Sequence, residues 1–262
     1  MEILGKAISD KTAAVIADLE HKLNKPVVYH FTDPDKNKGF GDCDCSQEDA
    51  VHIYSKEALF NLTKAKAINP AFETNILHQL LLACQTSEGF PQVETKDTEI
   101  TQSAKEFYDS LGKFFGSSVL SLNVDARLKE LGYASDYFHK HSINQADKMT
   151  RRGFQVTNEI DFSRFACQLM VLKLCCPGKE MDALLELLHE KNAAMVTLIN
   201  RIADQISKQG YQTAEEVLAC LVLIFSTFNL WFTHNILFNG KVYSSPEEIQ
   251  EAFPDMKFPG LN

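Results

Sequence analysis

Apolar residues recur at Ile8, Ala13, Val15, Ile16, Leu19 and Leu23. This three- and four-residue spacing gives a helix one apolar face, so an amphipathic helix is expected over 8–24. The pattern then changes. Pro26–Phe31 (PVVYHF) and Ala50–Tyr54 (AVHIY) are rich in β-branched and aromatic residues and read as strands, with the turn-forming DPDKNKGFGDCDCSQED between them. A small β-sheet or a long-looped hairpin beside the first helix accounts for both. Asn69 and Pro70 supply an N-cap and a first-turn proline for a helix that runs through Gln85 and ends near Gly89 and Pro91. From about residue 98 helical periodicity dominates, predicting helices over 98–115, 122–131, 134–149, 160–175, 179–208 and 213–238. Gly116, Gly132, Gly153, Pro177-Gly178 and Gly210 mark the breaks, and a short capped helix is expected from Pro246 to Phe253.

The segment from Val217 to Phe238 contains no charged side chain and is long enough to cross a bilayer. Asn229, His234 and Asn235 interrupt it with strongly polar groups, and Lys and Arg do not cluster at its ends. It is therefore read as a buried core helix, and a membrane partner is not expected.

Composition narrows the function classes. With 26 basic and 35 acidic residues the formal charge is −9, which argues against a protein whose task is to neutralise nucleic-acid phosphates or an anionic membrane. At 45% hydrophobic and 23% charged residues the chain has the composition of an ordinary globular protein rather than a disordered one. The N-terminal stretch carries charges every few residues and does not read as a secretory signal. The seven cysteines are odd in number, and Cys84, Cys167, Cys175, Cys176 and Cys220 fall in apolar helical patterns, which suits a reducing, cytoplasmic setting.

The segment Glu73–Pro91, ETNILHQLLLACQTSEGFP, carries the chemical hint. Its layout of strand, loop and a helix containing His78 resembles the active-site helix of zinc metallopeptidases of the zincin group. Their motif is His-Glu-x-x-His: the two histidines lie one turn apart on one helix face and bind zinc, and the glutamate acts as general base on the metal-bound water. His78 stands at the first histidine, Gln79 at the glutamate and Leu82 at the second histidine. Leucine offers no lone pair, and a neutral amide takes no proton from water. The resemblance, which covers about residues 26–145, therefore implies a catalytically inactive relative with no catalytic residue and no cofactor. Such a protein would bind a protein or peptide partner in the groove between the β element and the His78 helix.

The alternative within the same resemblance is a working zinc hydrolase that rebuilds its ligand set around His78. The third ligand of such enzymes comes from a later helix, which by chain order makes Glu106 and Asp125 candidates beside Glu73. A third reading is a helical interaction module with no enzymatic ancestry. Separately, the loop Gly41-Asp42-Cys43-Asp44-Cys45 with His30 and His52 on the flanking strands holds the residue types of a zinc site, with Cys43 and Cys45 as thiolate ligands; a Cys-x-Cys pair lacks the two-residue gap of zinc knuckles, and a turn with exposed polar residues or a disulfide is the preferred reading. His189-Glu190 is followed by Ala193 where a second histidine would stand, and His139 and His141 point to different sides of a helix. No Gly-x-Gly-x-x-Gly, P-loop or Gly-x-Ser-x-Gly motif occurs. The expected fold is α+β and mainly α: a small β element packed against the zincin-like helix over 1–150, then a helical lobe over 151–262. Oligomeric state is not legible.

Overall fold

The computed structural model describes residues 1–31, 41–45, 49–56, 70–96, 100–153 and 158–258. Asn69 and most of the turn-forming stretch after Phe31 lie outside the described residues. The chain packs as two units, one formed by 1–88 with 124–137 and the other by 89–123 with 138–262.

The first unit is the α+β part. A two-residue turn at Leu4 and Gly5, both with positive φ, joins β1 (Glu2–Ile3) to β2 (Lys6–Ala7). Helix α1 (Asp10–Leu23) begins at Ser9, whose side chain accepts the Thr12 N–H, and stops at Asn24 in the left-handed conformation. It buries Ile16, Leu19 and Leu23 of the periodic face expected from the sequence, together with Thr12, while Ala13 and Val15 are half-buried. Three strands follow, β3 (Val27–Phe31), β4 (Gly41–Asp44) and β5 (Val51–Ser55), in the spatial order β3-β5-β4. The sheet is not a hairpin: β3 runs parallel to β5, and β4 pairs antiparallel with β5 at the edge. Helix α2 (Pro70–Ser87) starts with Pro70, which lacks the N–H that a first turn leaves unsatisfied. It packs against α1, β4 and β5.

The second unit is mainly helical, with a small sheet. It contains β6 (Gln92–Thr95), most of α3 (Gln102–Glu130) and of α4 (Asp136–Arg151), α5 (Glu159–Cys175), α6 (Lys179–Lys191), α7 (Ala193–Gln209), α8 (Ala214–Thr227), β7 (His234–Phe238), β8 (Lys241–Tyr243) and α9 (Pro246–Ala252). Its core joins Phe115, Leu169, Met170, Ile199, Ile202, Leu221 and Phe225, all essentially without solvent exposure.

Three boundaries differ from those expected. Gly116 does not break a helix, because α3 continues through Gly112 and Gly116, whose bare backbone admits the Val93 and His234 side chains. The stretch 179–208 divides at Asn192, whose side chain accepts the Met195 N–H and starts α7. The uncharged run from Val217 is not one helix: α8 ends at Thr227, Asn229 turns left-handed, and after a 3-10 turn at Leu230–Phe232 the chain becomes β7 between β6 and β8. No helix among the described residues is long and apolar enough to cross a membrane.

Candidate functional site

Helix α2 is buried along most of its length, including polar residues, and each of these has to be accounted for. Glu73, 6% exposed, faces the start of α1. Its carboxylate accepts the Ser9 backbone N–H at 2.5 Å, the Ser9 hydroxyl at 3.0 Å and the Thr12 hydroxyl at 2.8 Å. Because the Thr12 proton goes to Glu73, Tyr133 is the donor in the 2.9 Å contact between their hydroxyls. A carboxylate at a helix N-terminus also meets the positive end of the helix dipole. Glu73 is thus a structural tie between α2 and α1, its oxygens committed to donors rather than turned toward a metal.

Asn75 donates to the Ser55 hydroxyl at 2.8 Å, both groups being buried, and this locks α2 onto β5. One turn further on, His78 and Leu82 are half-buried on one face, while Gln79 is buried with its amide 3.4 Å from His78 Nδ1. This is the register of a His-x-x-x-ligand pair, with leucine in the second place. Glu106, in the second unit, is exposed and accepts a hydrogen bond from Gln102 at 3.0 Å. Asp125 is buried on α3. Among the described residues, neither Glu73 nor Asp125 forms with His78 a group of three ligand atoms close enough to share an ion.

Cys84, at the far end of α2, is buried, and its thiol is pushed up to about 11 first by burial and then by the Glu88 charge, against the lowering effects of Arg127 and Lys22. It stays protonated at neutral pH and is no nucleophile. Cys45 lies close enough to contribute to that shift.

The sheet separates the groups of the Gly41–Cys45 stretch in a way the sequence alone does not reveal. Side chains alternate along a strand, and directly opposed residues share a face. Asp42 stands opposite Tyr54 and Asp44 opposite His52, whereas Cys43 stands opposite Ile53, which is fully buried. The carboxylates, not the Cys43 thiol, therefore share the face of His52. His30 of β3 is on that face too, its ring nearly parallel to those of His52 and Tyr54, with centroids 5.1 Å and 5.0 Å away.

The second unit holds an open cavity of about 680 Å³, lined by Tyr108, Phe115, Phe162, Leu198, Phe228 and Leu230 together with Asn158, Ser163 and Thr233. Its size is that of a small-ligand pocket, and its lining offers shape and apolar surface rather than paired acid and base. Comparison of the chain with protein-family models, with curated proteins and with solved structures finds no match, so the residues themselves carry the functional reading.

Proposed function

We propose that the chain is a catalytically inactive metallopeptidase-like protein that binds an extended peptide along the β4 edge, beside α2. One observation carries this reading. The helix bearing His78, Gln79 and Leu82 packs against a sheet whose edge strand, β4, is antiparallel to its neighbour and paired on one side only among the described residues. An edge strand offers a row of backbone donors and acceptors to an added strand, which gives affinity through main-chain hydrogen bonds and selectivity through alternate side chains. Gln79 has no basic group to activate water, and Leu82 has no atom to hold a metal, so a peptide in that groove would be held without being cut.

The test is back-substitution. Gln79→Glu with Leu82→His should bind one equivalent of zinc more than the wild-type chain, measured by elemental mass spectrometry after exhaustive dialysis, with far-UV circular dichroism showing that the variant is folded. A folded double variant with no additional zinc overturns the likeness to the zincin helix. Chelator-sensitive cleavage of unfolded casein by the wild-type chain overturns the inactive reading.

A further inference from the structure

The outer face of the first unit's sheet carries a second, independent arrangement of ligand-type side chains. Val51, Ile53 and Ser55 turn one face of β5 into the core, and His52 and Tyr54 alternate with them on the other. On that outer face His30 Nε2 and His52 Nδ1 lie 2.8 Å apart and share one proton. The rings are nearly parallel, with 16° between their planes. Two imidazole nitrogens converging in this way, from adjacent strands of a rigid parallel pair, are preorganised toward a common point.

We propose that His30 and His52, with the Asp44 carboxylate, form a binding site for a divalent transition metal of the zinc class. Zinc binds imidazole nitrogen at about 2.0–2.1 Å, so two nitrogens on a tetrahedral ion stand about 3.3 Å apart. Opening the pair by roughly half an ångström, with both rings turning so that their nitrogens face the ion, replaces the hydrogen bond between them with a metal. Each neutral imidazole keeps its one proton, the donor ring of the pair moving it to its other nitrogen so that both facing nitrogens are free to ligate. Asp44 is the directly opposed neighbour of His52, and opposed residues on one face have Cβ atoms about 4.5–5.5 Å apart. As it stands, its carboxylate does not meet both imidazoles at ligand distance; in the proposed site it turns toward the pair and gives up the contact it now makes. Two neutral nitrogens and one carboxylate form a ligand set that suits zinc, with the fourth position left to water. Cys43, on the opposite face, takes no part. Nothing in this inference depends on peptide binding at the β4 edge or on His78.

The experiment uses the full chain, produced without a metal-affinity tag, titrated with zinc chloride against a chromophoric chelator. The wild type should bind one equivalent. His30→Ala and His52→Ala should each weaken binding at least 100-fold and Asp44→Asn at least tenfold, while Cys43→Ser and Cys45→Ser should leave it unchanged. As a measurement that needs no variant, imidazole nitrogen resonances of the wild type should shift on zinc addition at His30 Nε2 and His52 Nδ1. Absence of stoichiometric binding, unchanged affinity in the histidine variants, or loss of binding in Cys43→Ser overturns the assignment. Repeating the Gln79→Glu/Leu82→His measurement in the His30→Ala/His52→Ala background keeps the two metal experiments separate, because only a site on α2 then adds zinc.

Discussion

Replacing Gly112 by alanine should destabilise the second unit, although intrinsic helix propensity says the reverse. In the interior of a helix, glycine to alanine favours the folded state by about 1 kcal/mol. At this position a Cβ would lie 2.6 Å from Cδ2 and 2.8 Å from Nε2 of His234, and 3.1 Å from Cγ1 of Val93. His234 has no solvent exposure, and its ring is held at both nitrogens: Nε2 donates to the Tyr108 carbonyl at 2.8 Å, which leaves Nδ1 to accept from the Thr233 hydroxyl at 2.7 Å. The ring can retreat only by breaking one of these bonds, and a buried polar group left unsatisfied costs about 1–3 kcal/mol. Overpacking against Val93 adds about 1–3 kcal/mol. Set against the propensity gain, the net loss is about 3 kcal/mol. The single tryptophan, Trp231, belongs to this unit, so urea unfolding followed by its fluorescence reads the loss there directly. In the double variant with His234→Ala the penalty of Gly112→Ala should largely vanish, giving a coupling well above 1 kcal/mol. Gly116→Ala, whose Cβ would meet only Val93, at 3.1 Å, should cost far less. A Gly112→Ala protein as stable as the wild type would refute the reasoning.

Two further outcomes follow from other parts of the chain. Glu73→Ala strands the donors at the start of α1 and should cost about 3 kcal/mol; hydrogen exchange of the α1 amides and thermal circular dichroism measure it, and a change under about 0.5 kcal/mol would show that the tie is dispensable. Burial pushes the thiols of Cys167 and Cys220 up to about 12 and that of Cys84 up to about 11, whereas a thiol in the unfolded chain ionises near pH ~8.5. The unfolded chain therefore holds fewer protons than the folded one above that pH, and stability, flat below it, falls as pH rises toward 11–12, by at most about 1.4 kcal/mol per pH unit for each thiol. Urea midpoints at pH 8 and 9.5 should show the fall, and Cys167→Ala should make it shallower; identical slopes would count against this origin.

The elements that announce themselves in the sequence are those whose pattern is local. The periodic apolar face of α1, the β-branched run of β5, the proline at the head of α2 and the Ser245-Pro246 start of α9 are all written within a few residues, and each forms where expected. The run from Val217 to Phe225 is apolar on every side, so it carries no period by which its helix can be told from the strand that follows. That strand is marked instead by Asn239-Gly240, both with positive φ, the residue pair that favours a tight hairpin between β7 and β8. Gly116 misleads for another reason: glycine reads as a helix breaker, yet here its missing side chain makes room for a neighbour distant in sequence. The same limit applies to the sites. His30, His52 and the Asp-Cys-Asp-Cys stretch are visible as ligand types, but which of them share a face follows only from the strand register, and that register rests on pairing between separated segments. Glu73 was open to a ligand role on chain order alone; its donors, Ser9 and Thr12, lie more than sixty residues away.

The pairing of β6 with β7 has a consequence for how the molecule comes off the ribosome. Thr95 and His234 are partners across about 140 intervening residues, and at the usual 5–20 residues per second their synthesis is separated by roughly 7–28 s. During that interval the small sheet of the helical unit lacks its central strand, and the glycine-lined groove of α3 waits for the ring that fills it. The α+β unit needs nothing beyond Tyr137 to complete its own set of segments. Translation therefore delivers every segment of the first unit while the second still lacks the central strand of its sheet, and the apolar surface which that strand covers stays exposed for that period.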